Sequence, residues 1–434
     1  MSDPISDSMK WASALSTRPF LEAAVEEVVM QAQAMLQARA DVGFVFISSA
    51  FASEFSRLLP LLQDKLPDVP LVGCSGGGVI GVTLRDKVLE VEGEPALGLT
   101  LAHLPGVQVK PFHIIGDELP DLDSPPHTWA DLIGVAIAEQ PQIILFADPF
   151  SAKINDLLQG LDYAYPQAAK IGGLASSGML GGSSGLFCNQ RFYREGTVGV
   201  ALSGNIAIDT IVAQGCRPIG QPYWVTEGER NIILGLKQDD GSGDVTATCP
   251  GSRTPLELLQ NLVQGLDEGD RELAAQENRI FIGIAQNEFK QTLDQGDFLI
   301  RTLMGVDPRL GAIALGDRIR PGQRIQFHLR DSETSADDLE MLLKRYRQSR
   351  LASSFDGEPR SQPSGALMFA CLGRGEALYG EPNFDSQLFS EYVGDVPVTG
   401  FFCNGEIGPV GSSTFLHGYT SVFGICRTKD EPER

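Results

Sequence analysis

One pair of segments sets the strongest limit on how this chain can fold. Asp68-Val69-Pro70-Leu71-Val72-Gly73 aligns without gaps on Asp395-Val396-Pro397-Val398-Thr399-Gly400. Beyond it Gly78 falls on Gly405, and Ile80-Gly81 on Ile407-Gly408, at a constant separation of 327 residues. A chain with 48 glycines supplies single glycine matches by chance. It does not so supply D-V-P, three spaced glycines and an Ile-Gly in one register, which argues for internal duplication.

The surrounding pattern repeats as well. Val42–Ser48 is an apolar β-rich run suited to a strand buried on both faces. A helix over about Ser53–Leu66 follows, then the short strand Asp68–Gly73 and the glycine burst Cys74–Gly81. Ile143–Phe150, Lys153–Tyr163 and Ala169–Gly178 give the same strand, helix, and strand with small-residue loop. So do Gly365–Gly375, a helix near Asp385–Val393, and Asp395–Gly411. Period-two runs then read as hairpin strands: Ala96–Leu104, Gly196–Gly204, Arg324–Asp331 and His417–Arg427. Arg279–Glu288 with Phe298–Asp307 reads as a degraded fourth unit. A helix rich in good helix formers spans about Phe20–Arg39. The expected fold is α/β to α+β: two related halves built from repeated strand-helix-strand-Gly-loop-hairpin units, with mixed sheets. The expected division is an N-terminal helical segment over 1–38, then 39–230 and 231–434. The break lies near the polar, turn-rich Lys237–Asp244, and a flexible loop falls at about 353–364.

Composition narrows the function. At 434 residues two or three domains are expected. A net charge of −22 repels phosphate backbones and anionic membranes, which argues against nucleic-acid binding. No window approaches ~18–20 uninterrupted apolar residues, so no membrane insertion is expected. Met1–Lys10 is polar and acidic, unlike a targeting leader. The seven cysteines are odd in number and form no CxxC pair, which suits reduced thiols and a cytoplasmic location. His103, His113, His127, His328 and His417 lack metal-ligand spacing, so no metal is expected, and no cofactor motif is complete.

Gly73-Cys74-Ser75-Gly76-Gly77 satisfies the G-x-S-x-G of an esterase elbow, which needs a helix directly after the serine. Gly76–Gly81 matches G-x-G-x-x-G, which also needs that helix. The residues that follow read as strand and turn, which leaves tight glycine turns as the plainer reading of both. Gly73–Gly78 has a P-loop spacing, but Val79-Ile80 stand where Lys and Ser/Thr are required. Glycine loops still let backbone approach a ligand closely, and their N–H groups can cradle an anion. Arg374, between glycines after an apolar strand, suits a bidentate grip on a carboxylate, or else a structural ion pair. Glu406, between Gly405 and Ile407, can face a ligand ammonium or pair with Arg374. Asn404 is either a hydrogen-bonding contact or the first residue of an Asn-Gly turn. Cys403 and Cys74 have no neighbouring base in sequence, as thiol catalysis would require, and read more simply as small buried residues.

Gly365–Gly375, Asp395–Gly411 and Phe415–Cys426 resemble the C-terminal part of FIST-domain proteins, and Pro308–Asp331 fits an earlier part of the same domain. Asp68–Gly81 and Ala169–Gly178 resemble the paired glycine motifs of the FIST N-terminal domain. The resemblance runs from about residue 39 to 427. It implies a sensory, signal-transduction module that binds a small ligand, amino acids among the candidates. Other members are joined to signalling or F-box partners; this chain shows no kinase, cyclase or chemotaxis segment, so any signalling partner is expected in trans. The expected ligand contacts are Arg374, Glu406, Asn404, Cys403, Gly405, Ser75, Gly76, Gly77 and Gly173, in a cleft lined by the glycine loops, with no catalytic residue. The alternatives are an enzyme with Cys403, Cys74 or Ser75 as nucleophile, and an interaction module that binds no ligand.

Overall fold

The structure, a computed structural model, describes residues 8–83, 87–177, 184–239, 251–287, 290, 292–355 and 361–430. The chain divides into two compact units, 1–213 with 340–434, and 214–339. Parts of Ala169–Gly178, Lys237–Asp244 and Ser353–Ser364 lie outside the described residues.

One order of elements recurs three times in the first unit. The first run is β1 (Lys10–Ser16), α1 (Leu21–Leu36), β2 (Val42–Ser48), α2 (Phe55–Lys65), β3 (Leu71–Gly76), β4 (Gly78–Val82), β5 (Val88–Glu92) and β6 (Leu97–His103). The second is β7 (Val107–Ile114), α3 (Pro126–Ile133), β8 (Gln142–Ala147), α4 (Ile154–Ala164), β9 (Lys170–Leu174), β10 (Leu186–Cys188), β11 (Arg191–Tyr193) and β12 (Thr197–Gly204). The third opens with β13 (Ala207–Ala213). The second unit then intervenes in sequence, with β14 (Arg217–Glu229), β15 (Ile232–Gln238), α5 (Pro255–Gly265), α6 (Glu268–Ala274), β16 (Ile280–Ala285), β17 (Phe298–Asp307), β18 (Ala312–Leu315) and β19 (Arg324–Leu329). The third run resumes with α7 (Ser332–Phe355), β20 (Gly365–Cys371), α8 (Glu376–Tyr379), α9 (Phe384–Val393), β21 (Val398–Cys403), β22 (Glu406–Val410), β23 (Ser413–His417) and β24 (Ser421–Arg427).

Each run builds a mixed sheet around one parallel pair: β2 with β3, β8 with β9, β20 with β21. The strand orders are β1-β6-β2-β3-β10-β11, β7-β12-β8-β9-β22-β23 and β13-β24-β20-β21-β4-β5. Every sheet is therefore completed by a hairpin from another run. The first run lends β4-β5 to the third, the third lends β22-β23 to the second, and the second lends β10-β11 to the first.

The parallel strands are covered on both faces, which is why Val42–Ser48 is apolar without alternation and wholly buried. Leu21, Val25, Val28, Ala32 and Leu36 make the buried stripe of α1, three or four residues apart. The N-terminal segment contributes a strand as well as this helix, β1 pairing antiparallel with β6.

Three glycines share one environment. Gly73, Gly172 and Gly400 lie opposite Val45, Leu145 and Met368 on the parallel partner strands. A Cβ on any of them would sit 1.7, 1.8 or 1.6 Å from that partner's carbonyl oxygen. The segments that align in sequence are thus the first and third of three structural equivalents, with Lys170–Leu174 as the second.

The second unit is a closed antiparallel barrel, β14-β15-β18-β17-β16-β19. Val225, Ile233, Ile282, Ile313, Ile325 and Phe327 fill it. Ile280–Ala285 and Phe298–Asp307 pair antiparallel inside this barrel, so they do not form a fourth strand-helix-strand unit.

Replacing Gly400 by alanine is expected to cost at least ~3 kcal/mol, because the clash is with backbone that cannot rotate away. Gly305→Ala, where a Cβ meets nothing within 4 Å, should stay within ~0.5 kcal/mol of wild type. Denaturant midpoints of the two variants check this; equal midpoints would overturn the shared-environment argument.

Candidate functional site

In mixed α/β sheets ligands tend to bind beyond the carboxyl ends of parallel strands. This unit has three such ends, and register makes them comparable. Ser48 and Cys371 end β2 and β20 and Asp148 directly follows β8, each two residues past an equivalent phenylalanine. At the first end the Ala96 amide donates to Ser48 Oγ at 3.0 Å. At the second, Asp148 accepts from the amides of Phe150 and Ser151 and from the hydroxyls of Ser151 and Ser184, at 2.7–3.1 Å. Those two ends are closed by their own hydrogen bonds.

The third end carries ionisable groups at core positions. Val79 faces Phe401, Leu186 faces Cys74, and Glu406 faces Gly173 at the same register point of the three lent hairpins. Val79 and Leu186 are core residues, and Glu406 is equally inaccessible. Arg374 likewise stands where the first run has buried Phe51, and it too is fully buried.

Two strand-following loops and a helix hold these groups. Arg374 donates from Nε to Asp385 Oδ2 at 2.7 Å and from Nη2 to Asp385 Oδ1 at 2.9 Å. Tyr379 closes the triangle, accepting from Arg374 Nη2 and donating to Asp385 Oδ1 at 2.8 Å. Glu406 Oε2 accepts from the Thr420 amide at 3.1 Å, and the Cys371 thiol stands close enough to favour the carboxylate. From the lent hairpin β4-β5, Glu90 Oε1 accepts from the Ser386 amide at 2.7 Å, in the first turn of α9. Glu92 Oε1 accepts from the Glu376 amide at 3.0 Å, at the start of α8. Carboxylates at these helix starts satisfy amides that have no partner within the helix.

Burial sets the electrostatics. It pushes Glu406 up to about 8, against the Thr420 N–H, the Arg374 charge and the Cys371 thiol, all of which favour the carboxylate. Burial, then the neighbouring Asp385 charge, raises Glu90 to about 7. Arg374 and Asp385 neutralise one another, so two acids with protons to release stand beside a closed ion pair. Glu406 Oε1 and Glu90 Oε2 are buried and have no hydrogen-bond partner among the described residues. Buried oxygens of this kind are costly unless something binds them.

The sequence-predicted residues fall into two groups. Arg374 and Glu406 are brought together, with Gly405 and exposed Asn404 directly before Glu406. The bidentate face of Arg374 holds Asp385, which sequence reading did not foresee as its partner. Ser75, Gly76, Gly77, Gly173 and Cys403 belong to the lacing between the loops. Ser75 Oγ donates to Ser176 O at 3.1 Å and accepts from the Gly185 amide at 2.9 Å. The Gly77 amide donates to Ser176 Oγ at 2.7 Å, and that hydroxyl donates to Phe402 O at 2.5 Å. The Asn404 amide donates to Leu174 O at 3.1 Å, and the Leu174 amide to Gly405 O at 2.8 Å. The glycine loops therefore do converge, and these amides bind one another's loops rather than an anion. A Cβ on Gly173 would stand 2.4 Å from Cys403 Sγ, and one on Gly76 2.9 Å from the Phe401 Cβ.

The nucleophile candidates are placed as core residues. Burial holds the Cys74 and Cys403 thiols well above their ordinary range, with the Glu406 charge adding to the shift of Cys403. Cys371, Asp385, Tyr379, Glu90 and Thr420 were not picked out from sequence. The one available signal was an acid within the strand pattern Val88-Leu89-Glu90-Val91-Glu92.

Two family models match the chain, the FIST N domain over residues 41–238 and the FIST C domain over 255–409. These are domains of sensory signal transduction. An uncharacterized protein of Mycobacterium tuberculosis is 31% identical over 420 residues, covering 96% of this chain and 99% of that one. An uncharacterized protein of Mycobacterium bovis is 34% identical over 282 residues, 65% of this chain and 66% of that one. An F-box/LRR-repeat protein of Arabidopsis thaliana is 25% identical, with 87% of this chain and 78% of that one covered.

The raised acids predict a pH dependence. Their native pKa values lie above the ordinary 4.5, so the native state keeps protons that the unfolded chain releases. Stability should fall as pH rises from about 4.5 to about 8, by on the order of a few kcal/mol, and level off above. Urea midpoints from pH 5 to 8 should decline less steeply for Glu406→Gln than for wild type. Parallel declines would show that Glu406 is not the titrating group.

Proposed function

Because the chain belongs to the FIST-domain family, we propose that it works as a sensor binding a small molecule with a cationic end, an amino acid or a simple amine. The observation that carries this reading is Glu406: a buried carboxyl at a valine or leucine position, with one oxygen unpartnered among the described residues. An ammonium meeting that oxygen would favour the carboxylate and release its proton. Glu90 Oε2 supplies a second acceptor of the same kind. Asn404, exposed beside Glu406 in sequence, would stand at the entrance.

An amino-acid carboxylate would share Arg374 with Asp385, in place of the open guanidinium that the sequence suggested. Such sharing links ligand to fold, since Asp385 lies in the first turn of α9. A ligand drawing on Arg374 would loosen that turn, a change that a partner in trans can read. The buried thiols Cys74, Cys188, Cys403 and Cys426 suit a reducing, cytoplasmic setting for such a sensor.

The test is a thermal-shift screen against the amino acids and small primary amines, followed by titration of any hit. At 100 times Kd one ligand stabilises by about 2.7 kcal/mol, which is a shift of several degrees. Glu406→Gln should abolish the shift, while Glu376→Gln, an exposed neighbour, should retain it. A screen with no stabilising compound, or a hit unchanged in Glu406→Gln, would overturn the proposal.

A further inference from the structure

A second feature of the first unit stands apart from the buried acids. The chain has 56 acidic against 34 basic residues, yet Lys344-Arg345-Tyr346-Arg347-Gln348-Ser349-Arg350 has four basic side chains and no acid. This stretch lies in the second half of α7. Beside it is a groove of about 190 Å3, lined by Tyr346, Arg347, Arg350, Leu351, Pro363 and Tyr392 among others.

The two arginines of the groove are three residues apart, on one helix face. Arg350 is anchored: its Nη2 donates to Ser361 O at 2.5 Å, and its Nη1 lies 3.7 Å from Asp209. Arg427 holds the same Asp209 more closely, at 2.9 Å. Arg347 is exposed, its guanidinium 4.8 Å from the centre of the Tyr392 ring, and no ion pair of Arg347 occurs among the described residues. A guanidinium stacked on a ring keeps its N–H edge directed outward, where a carboxylate can meet it in bidentate fashion. The rings are themselves fixed. Tyr392 donates to Glu340 Oε1 at 2.5 Å, and Tyr346 to Asp209 Oδ2 at 3.4 Å.

We propose that this groove is a docking site for an acidic peptide segment of a partner protein, with exposed Arg347 receiving a carboxylate and the anchored Arg350 lining the groove beside it. Charge complementarity carries the choice of occupant: a basic stretch is the one kind of surface on which so acidic a chain attracts an anionic partner. Size fits too, since 190 Å3 is below the ~300–1,000 Å3 of sites that enclose a small molecule, and suits a few peptide side chains. Leu351, Pro363 and the tyrosine rings offer apolar contact to the stems of those side chains.

Fluorescence anisotropy of a fluorescein-labelled octapeptide of alternating glutamate and leucine tests this at low ionic strength. Saturable binding is expected, with no binding of the matching lysine-leucine peptide. Arg347→Glu should weaken binding at least ~tenfold, about 1.4 kcal/mol. Arg345→Glu makes the same charge change on the same helix outside the groove, and should leave affinity within about twofold. Both sites are exposed, and unchanged melting temperatures confirm that the variants fold. Absence of saturable binding, or equal losses in the two variants, would overturn the proposal. So would displacement by inorganic phosphate beyond that by sodium chloride at matched ionic strength, which would assign the groove to a free anion.

Discussion

Three phenylalanines at equivalent positions meet in the first unit, and its architecture depends on their contact. Phe46 and Phe146 lie 5.3 Å apart edge to face, Phe146 and Phe369 5.9 Å, Phe46 and Phe369 6.5 Å. Each sits next to the residue opposite a close-approach glycine, on the first strand of its parallel pair. Phe401 stacks on Phe46 at 5.1 Å. Edge-to-face pairs of this kind contribute beyond the area they bury. A core shared by three repeats ties them together, and the exchanged hairpins strengthen the tie. A sheet that borrows its last two strands from another repeat cannot be completed alone, so the repeats are expected to unfold as one cooperative body.

Against that near-symmetry the third repeat departs in chemistry. Its lent hairpin carries Glu406 where the others carry valine and leucine, and its first strand leads to Arg374 where the first repeat has phenylalanine. An isolated buried charge is costly, so the structure answers each one. Asp385 and Tyr379 enclose the guanidinium, while the Thr420 amide holds one oxygen of Glu406. The other oxygen of Glu406 and the second oxygen of Glu90 lack partners among the described residues. A repeat built for packing alone would keep apolar residues there. That contrast, rather than any motif, is what supports the proposed ligand site at the third strand end.

The carboxylates of β5 show how the exchange serves this place. Glu90 and Glu92 come from the first repeat, yet bind the starts of α9 and α8 in the third. The ionisable cluster therefore draws on segments nearly 300 residues apart, and its protonation is coupled to helix starts as well as to strand ends.

Much of the fold was legible in the chain itself. The D-V-P…G…I-G register related two distant segments, read as equivalents in two halves, because glycine at Gly73 and Gly400 answers a backbone contact that admits no side chain; that they are the first and third of three came from the structure. Apolar runs such as Val42–Ser48 declared doubly covered strands, and the residues after Gly78 declared a strand rather than a helix, which made tight glycine turns a plainer reading than an esterase elbow or a dinucleotide loop. Arg374 and Glu406 were visible as charges set among glycines. Their surroundings were not, because Asp385, Glu90 and Thr420 reach them only through a helix, a borrowed hairpin and a strand end whose positions no local pattern encodes. Nor could sequence show that the glycine loops bind one another. Local residues determined where strands, helices and close approaches fall; only the exchange of hairpins between repeats decided which charges would be buried together, since burial is set by what packs against a residue and not by its neighbours in the chain.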